Sequence, residues 1–400
     1  MFSRKRPAPI GYKCRRDSLS WFLTTSEDRT NLETQTPSHD LKPRNPICLT
    51  QNAPTTLNIT YTLVFHTYPK VSDYNGSDAP VDWLGEHGPG SCSILTTLIG
   101  HGQLTWLQGM AKNVVEKADL AHPVLLYNRT KERSVEFSSQ FPTGTTEIVD
   151  SIAAGVAKAD IIFTILAKDD VVEAVADEIL KAVDVKGKLF VECSTIHPDT
   201  TVRVAKAFHD RGAEFVAAPV FGAPAMAEVG QLVGVLAGPG PSVQKARQFF
   251  KGVMAKAEID MSDQPYEKAL QLKLIGNTFI LNMVEQLSEG LVLAEKSGLG
   301  TQYVHQFVEN ILPGPYAAYS TRILSGAYHR MSYPLFPVDL AKKDARHALD
   351  LAEACGARMR NLEVANAHLD QVKEHDGTKG DIAGIYGAVR KESGLKYENN

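Results

Sequence analysis

Three shortages bound what this 400-residue chain can be. It has no apolar run long enough to cross a bilayer, which takes about 20 predominantly apolar residues in a row. Its five cysteines (Cys14, Cys48, Cys92, Cys193, Cys355) are scattered, odd in number and without metal-ligand spacing. No metal is expected, and a reducing compartment, the cytoplasm, is. It also lacks a dominant charge: net −4 with 22% charged residues gives no general pull toward nucleic acid or membrane. Small molecules are the expected partners. The length suits two or three domains.

Residues 1–80 mix Pro, Thr, Asn and Ser with few periodic apolar positions and read as an irregular or disordered extension. The first twenty residues carry Arg4, Lys5, Arg6, Lys13, Arg15 and Arg16 against Asp17, the balance of a mitochondrial presequence. Pro7 and Pro9 spoil an amphipathic helix there. A solvated tail is expected.

From Gly109 the pattern is regular. Helices are expected over Met110–Leu120, Lys131–Gln140, Asp170–Lys181 and Thr200–Arg211. Strands are expected over Pro123–Tyr127, Asp160–Leu166, Lys188–Glu192 and Glu214–Ala218. This alternation predicts an α/β fold, a Rossmann-like doubly wound parallel sheet, with ligands beyond the carboxyl ends of the strands. The domain is assigned to 81–265, with an atypical insertion at 86–107. An all-α domain follows over 266–395.

That second domain opens with Leu270–Gly298, a Pro-free stretch whose apolar residues run almost all the way round, as in a long helix buried on several sides. Lys273 and Asn277 share one face at i and i+4. A Lys there either snorkels to water or has a partner and a task. Further helices are expected over Thr301–Asn310, Tyr316–Ser325, Leu340–Ala354, Leu362–Glu374 and Ile382–Lys391. Glu285 and Glu289 are expected as solvated or capping charges.

After the strand ending at Tyr127 comes Asn128-Arg129-Thr130. A free ribose 2′-hydroxyl would call for an acid here, whereas a guanidinium and a hydroxyl suit a 2′-phosphate. NADP is expected ahead of NAD. The glycine loop is less regular. Gln108-Gly109-Met110 looks like the rear of a G-x-G-x-x-G turn, but Leu104 and Leu107 stand where glycines belong. Two front halves are available. Trp83-Leu84-Gly85 is one, with Glu86–Leu107 foreign to the fold as a translated intervening sequence or a mistaken gene model. The other makes Ile94–Ile99 the first strand, with Gly100 and Gly102 in a looser loop.

Six segments appear in one order: QGMAKN (108–113), YNRT (127–130), ECSTIHP (192–198), APVFGAP (218–224) with GQL (230–232), KLIGN (273–277) and Lys343-Asp344. Together they resemble the β-hydroxyacid dehydrogenase family, which includes 3-hydroxyisobutyrate dehydrogenases and glyoxylate/succinic semialdehyde reductases. They are also similar to the NAD-binding domain of 6-phosphogluconate dehydrogenases. The resemblance implies hydride transfer between NADP(H) and a small 3-hydroxy acid or its aldehyde, in a homodimer or tetramer. Lys273 would be the acid/base. Ser194, Gly222 and Asn277 would hold the substrate. Gly85, Gly109, Met110, Asn128, Arg129, Thr130, Leu166, Ala167, Thr195 and Lys343 would hold the cofactor.

Two substitutions depart from the family pattern beside the substrate. Phe221-Gly222-Ala223 replaces the usual Ser-Gly-Gly, exchanging a hydroxyl for a ring, and Gly276 replaces the first Asn of the K-x-x-N-N motif. The first points to a more apolar substrate, and the second removes one amide from the site. A catalytically impaired relative with a broken nucleotide loop is the second reading. An imine reductase is a third, disfavoured by Lys273.

Overall fold

The computed structural model describes residues 94–97 and 104–399; the remainder, with the extension at 1–80 and Trp83–Gly85, lies outside the described residues. The sheet is built from β1 (Ile94–Thr97), β2 (Val124–Tyr127), β3 (Thr146–Ile148), β4 (Ile161–Thr164), β5 (Leu189–Glu192), β6 (Glu214–Ala217), β7 (Val220–Phe221), β8 (Leu232–Gly238) and β9 (Ala255–Ser262). Its order is β3-β2-β1-β4-β5-β6-β8-β7, with β9 on β8. The first six strands are parallel; β8 runs antiparallel to β6 and β7. Every residue of β4 and β5 is buried, as expected of parallel strands covered on both faces.

Helices α1 (Leu104–Lys117), α2 (Lys131–Ser138), α3 (Ile152–Lys158), α4 (Asp169–Ala182), α5 (Pro198–His209), α6 (Pro224–Glu228) and α7 (Gly240–Arg247) connect these strands. The chain winds from β1 to β3 on one side, then crosses to β4 on the other flank of β1. The switch point where dinucleotides bind in such sheets therefore lies at the carboxyl ends of β1 and β4.

Of the second front half the structure shows the strand, over Ile94–Thr97, while Gly100 and Gly102 lie outside the described residues. Leu95 pairs in register with Leu125 on one side and Ile162 on the other, so β1 is an interior strand of the sheet. Ile94 and Leu107 are each 1% exposed and share a core cluster with Met110 and Val124. The described parts of Glu86–Leu107, the strand Ile94–Thr97 and the helix start from Leu104 to Leu107, are thus integral to the fold rather than pushed between two halves of it.

The helical half begins with α8 (Glu267–Lys296), 30 residues long. Gly298, at φ 77°, supplies the left-handed residue that ends it. Around it lie α9 (Thr301–Ile311), α10 (Pro315–Leu324), α11 (Ala327–Arg330), α12 (Val338–Ala354), α13 (Arg360–Asp376) and α14 (Ile385–Glu392). One apolar cluster centred on Leu274, Leu281, Val284 and Leu291 holds these helices together. Glu285 differs from expectation: it is buried, with both carboxylate oxygens 2.9 Å from Nδ1 of His368. Its hydrogen bond raises the His368 pKa to about 9, making a buried ion pair across α8 and α13.

Candidate active site

α8 carries Lys273 against the sheet at β7. Its Nζ donates to the Val220 carbonyl at 2.8 Å and lies 4.5 Å from the centroid of the Phe221 ring. Only 8% of Lys273 is exposed. Burial lowers its pKa from 10.5 to about 8, with Lys343 pushing the same way and Asp344 opposing. One turn along, Asn277 donates from Nδ2 to Oδ2 of Asp344 at 2.7 Å. Oδ1 of Asp344 lies 3.2 Å from Nζ of Lys343. Lys273, Asn277, Lys343 and Asp344 are therefore brought together, and Asp344 fixes which way the Asn277 amide faces.

α12 also ties the helical half to the sheet. Lys343 donates to the Thr195 carbonyl just beyond β5. One turn later, His347 Nε2 sits 3.4 Å from Oδ2 of Asp169 at the start of α4. Both contacts fall at the carboxyl ends of strands, so the helix that presents Lys343 is registered against the cleft itself.

The strand ends hold the remaining candidates. Leu166 is buried and Ala167 half-buried just beyond β4, near the switch point. Ser194 has no exposed surface: its Oγ accepts from the Leu166 N–H at 2.7 Å, and its own N–H donates to Glu192 at 2.7 Å. It braces β4 against β5. Gly222 has φ 133°, and a Cβ there would stand 2.7 Å from Leu232 Cδ2, so only glycine is accommodated. Its carbonyl accepts from Trp106 Nε1 at 2.7 Å.

Gly109 and Met110 are placed differently from the loop-rear role expected of them. α1 already begins at Leu104, so both lie in its second turn, away from the helix-terminal N–H groups that hold phosphates. Met110 is in the core, and Gly109 permits close approach of α6, where a Cβ would meet Ala227 C at 2.6 Å. Asn113, which the sequence did not single out, donates to the Gly109 and Ala227 carbonyls at 2.6 and 2.8 Å. Gly85 lies outside the described residues.

The residues fit a dinucleotide. At the end of β2, Asn128 accepts the Thr130 N–H on Oδ1 at 2.8 Å, while its buried Nδ2 has no partner among the described residues. A buried donor at a strand end, otherwise unsatisfied, suits a ribose oxygen. Arg129 and Thr130 beside it are exposed.

Comparison with known proteins agrees. Residues 97–262 match the model of the NAD binding domain of 6-phosphogluconate dehydrogenase. Residues 268–389 match that of the NAD-binding domain of NADP-dependent 3-hydroxyisobutyrate dehydrogenase. The chain is 36% identical over 289 residues to the NADH-dependent oxidoreductase ucdB of Aspergillus ustus, covering 72% of this chain and 97% of that protein. It is 27% identical to the chloroplastic glyoxylate/succinic semialdehyde reductase 2 of Arabidopsis thaliana, over 70% of this chain and 76% of that protein. The fold is shared with the 3-hydroxyisobutyrate dehydrogenase of Mycobacterium tuberculosis solved with L-serine, at TM-score 0.62 and 20% identity over 75% of this chain and 99% of that one. With a sheet of Rossmann order and a helical second half behind it, the chain belongs to the 3-hydroxyisobutyrate dehydrogenase-like β-hydroxyacid dehydrogenases, a family of NAD(P)-dependent oxidoreductases acting on hydroxyl groups.

Proposed function

We propose that this chain interconverts an alcohol and a carbonyl compound, with Lys273 as the general acid/base. Bound NAD(P)H supplies the hydride for reduction and its oxidised form accepts it in the reverse direction. In reduction the Lys273 ammonium gives a proton to the carbonyl oxygen; in oxidation the neutral amine takes the proton of the hydroxyl. The observation that carries this reading is Lys273 itself, buried at the junction of the two halves with a pKa of about 8. A group so poised exchanges protons near neutral pH. Asn277, held by Asp344, presents an amide one turn away to orient the same oxygen.

The test is Lys273→Ala, expected to lower kcat by about 10²–10⁴ while leaving cofactor affinity nearly unchanged. Activity within a few-fold of the parent would reduce Lys273 to a structural cation.

For the cofactor we favour NADP(H). Arg129 is exposed beside Asn128 and has no partner among the described residues, leaving its guanidinium available to a 2′-phosphate. The Aspergillus ustus relative is NADH-dependent, so both cofactors are compared in the test. For assembly we favour a homodimer or tetramer, supported by exposed Phe279, Tyr303, Phe307 and Ile311 on α8 and α9. Light scattering that gave a monomer would remove that support.

A further inference from the structure

Gly276 sits inside α8 with ordinary helical geometry, so its backbone does not require glycine. A glycine there weakens the helix relative to any common side chain. What requires it is Phe221. A Cβ on Gly276 would stand 2.5 Å from Cζ of the Phe221 ring, which rests against bare helix backbone. The same ring lies 4.5 Å from Nζ of Lys273, three residues earlier on the same helix. Phe221 is only half-buried, so the residue keeps exposed surface beside Lys273. Ring, bare glycine and proton donor are one packed unit.

The polar groups around this unit are already engaged. Lys273 donates to the Val220 carbonyl, Lys343 to the Thr195 carbonyl beside the Asp344 carboxylate, and Asn277 Nδ2 to Asp344. Ser194 is fully buried with its hydroxyl bonded. A substrate carboxylate beside Phe221 would lose its water and find Asp344 close by, with Lys343 and Asn277 committed and Lys273 needed at the reacting oxygen. An unpaired charge is expensive to desolvate. A flat apolar group loses nothing there and gains a ring to stack on.

We propose that Phe221 and Gly276 form an apolar wall beside Lys273 that selects carbonyl substrates bearing an uncharged aryl group over those bearing a carboxylate. This rests on Lys273 being the proton donor and adds the substrate class. The reaction balances as an aryl aldehyde plus NAD(P)H plus a proton giving the aryl alcohol and NAD(P)⁺.

The experiment uses the full chain with saturating NADPH and, separately, NADH, and benzaldehyde and succinic semialdehyde as probes. The unmodified chain should favour benzaldehyde in kcat/KM by about tenfold or more. Phe221→Ser should shift that ratio at least about tenfold toward succinic semialdehyde, mainly through KM, whereas Phe221→Leu should keep most of the preference. Gly276→Ala should depress benzaldehyde turnover by displacing the ring. Combined with Phe221→Ala it should cost less than the two single changes added. A ratio is read within one preparation, so a loss of folded protein cancels.

Dissociation constants for benzyl alcohol and 3-hydroxybutyrate in the presence of NADP⁺ should follow the same order if turnover is slow. Preference for the acid in the unmodified chain, a ratio unmoved by Phe221→Ser, additive single changes, or binding of neither alcohol would overturn the proposal. Lys273→Ala separates the two readings. If it leaves turnover of both aldehydes intact, the proton-donor assignment fails, while the substrate ratio and its dependence on Phe221 are judged independently.

Discussion

On the α8 side of the cleft, the candidate site is built from a few buried side chains from distant parts of the chain, each held by another. Lys273 leans on Val220, Asn277 on Asp344, and Lys343 on Thr195. On the β1–α1 side residues 98–103, which would cradle phosphate, lie outside the described residues, and the positions flanking them have been given to packing. Leu107, where a close-approach glycine would be expected, is 1% exposed in the core, and Met110 is buried beside it. The first kind of site is specified by residue chemistry and tolerates little substitution. The second is specified by backbone geometry, so its residues can change identity while the strand and helix around it persist.

That difference can be broken by asking whether α1 is attached as firmly as α8. Leu107→Ala should cost about 2–5 kcal/mol, the range for a truncated core leucine, read as a shift in the urea midpoint. Activity per folded molecule should change far less, because Leu107 makes none of the hydrogen bonds described around Lys273. A loss under about 0.5 kcal/mol, the level of a surface substitution, would mean that α1 is not packed as the structure has it. Deletion of Ile94–Thr97 should be still more damaging, since it removes a strand paired on both sides.

The α8 side can be sharpened through the stability that Lys273 gives up. Its pKa is depressed from 10.5 to about 8, so the folded state releases the proton more readily than the unfolded chain. Below about pH 8 both states are protonated and the full penalty is present; between about 8 and 10.5 the unfolded chain binds more protons and stability rises with pH. Lys273→Met should therefore stabilise the fold at pH 7 by roughly 2 kcal/mol, less than the shift alone implies because the Val220 carbonyl loses its donor. The gain should fade as pH approaches 10.5. Activity should titrate with the same group, reduction falling and oxidation rising as pH passes about 8. A variant less stable than the parent at pH 7 would mean that the ammonium is well paired rather than strained.

How much of this was legible in the chain follows the same division. The long helix carrying Lys273 was readable because its apolar positions run almost all round and Gly298 stops it; observed and expected ends agree within a turn. β2, β4, β5 and β6 were readable as apolar runs between helices. β3, α3 and the β7–β9 section were not. β3 is three half-buried residues, Thr146-Glu147-Ile148, and β9 alternates weakly at the sheet's edge, so neither carries a strong period. Ordered motifs located the clustered residues, but not what holds them. Trp106 bonding to Gly222, and Phe221 resting on Gly276, join positions more than fifty residues apart and leave no local pattern.

The smallest expected effect concerns the cofactor's 2′ position, where the two sides of the comparison meet. Asn128 is fixed by its turn with Thr130 and is buried, so it can serve either cofactor. Arg129 is exposed and would distinguish them only through one charged contact. Such a contact at the surface is partly screened, and a preference for NADPH over NADH of about tenfold, or roughly 1.4 kcal/mol, is the expected scale. Arg129→Ala should remove most of that preference by weakening NADPH while leaving NADH nearly unchanged, and raising salt should do the same in the parent by degrees. Fluorescence titration of both cofactors against parent and variant measures this directly. Equal affinities in the parent would show that the guanidinium is idle and that this chain follows its NADH-dependent relative instead.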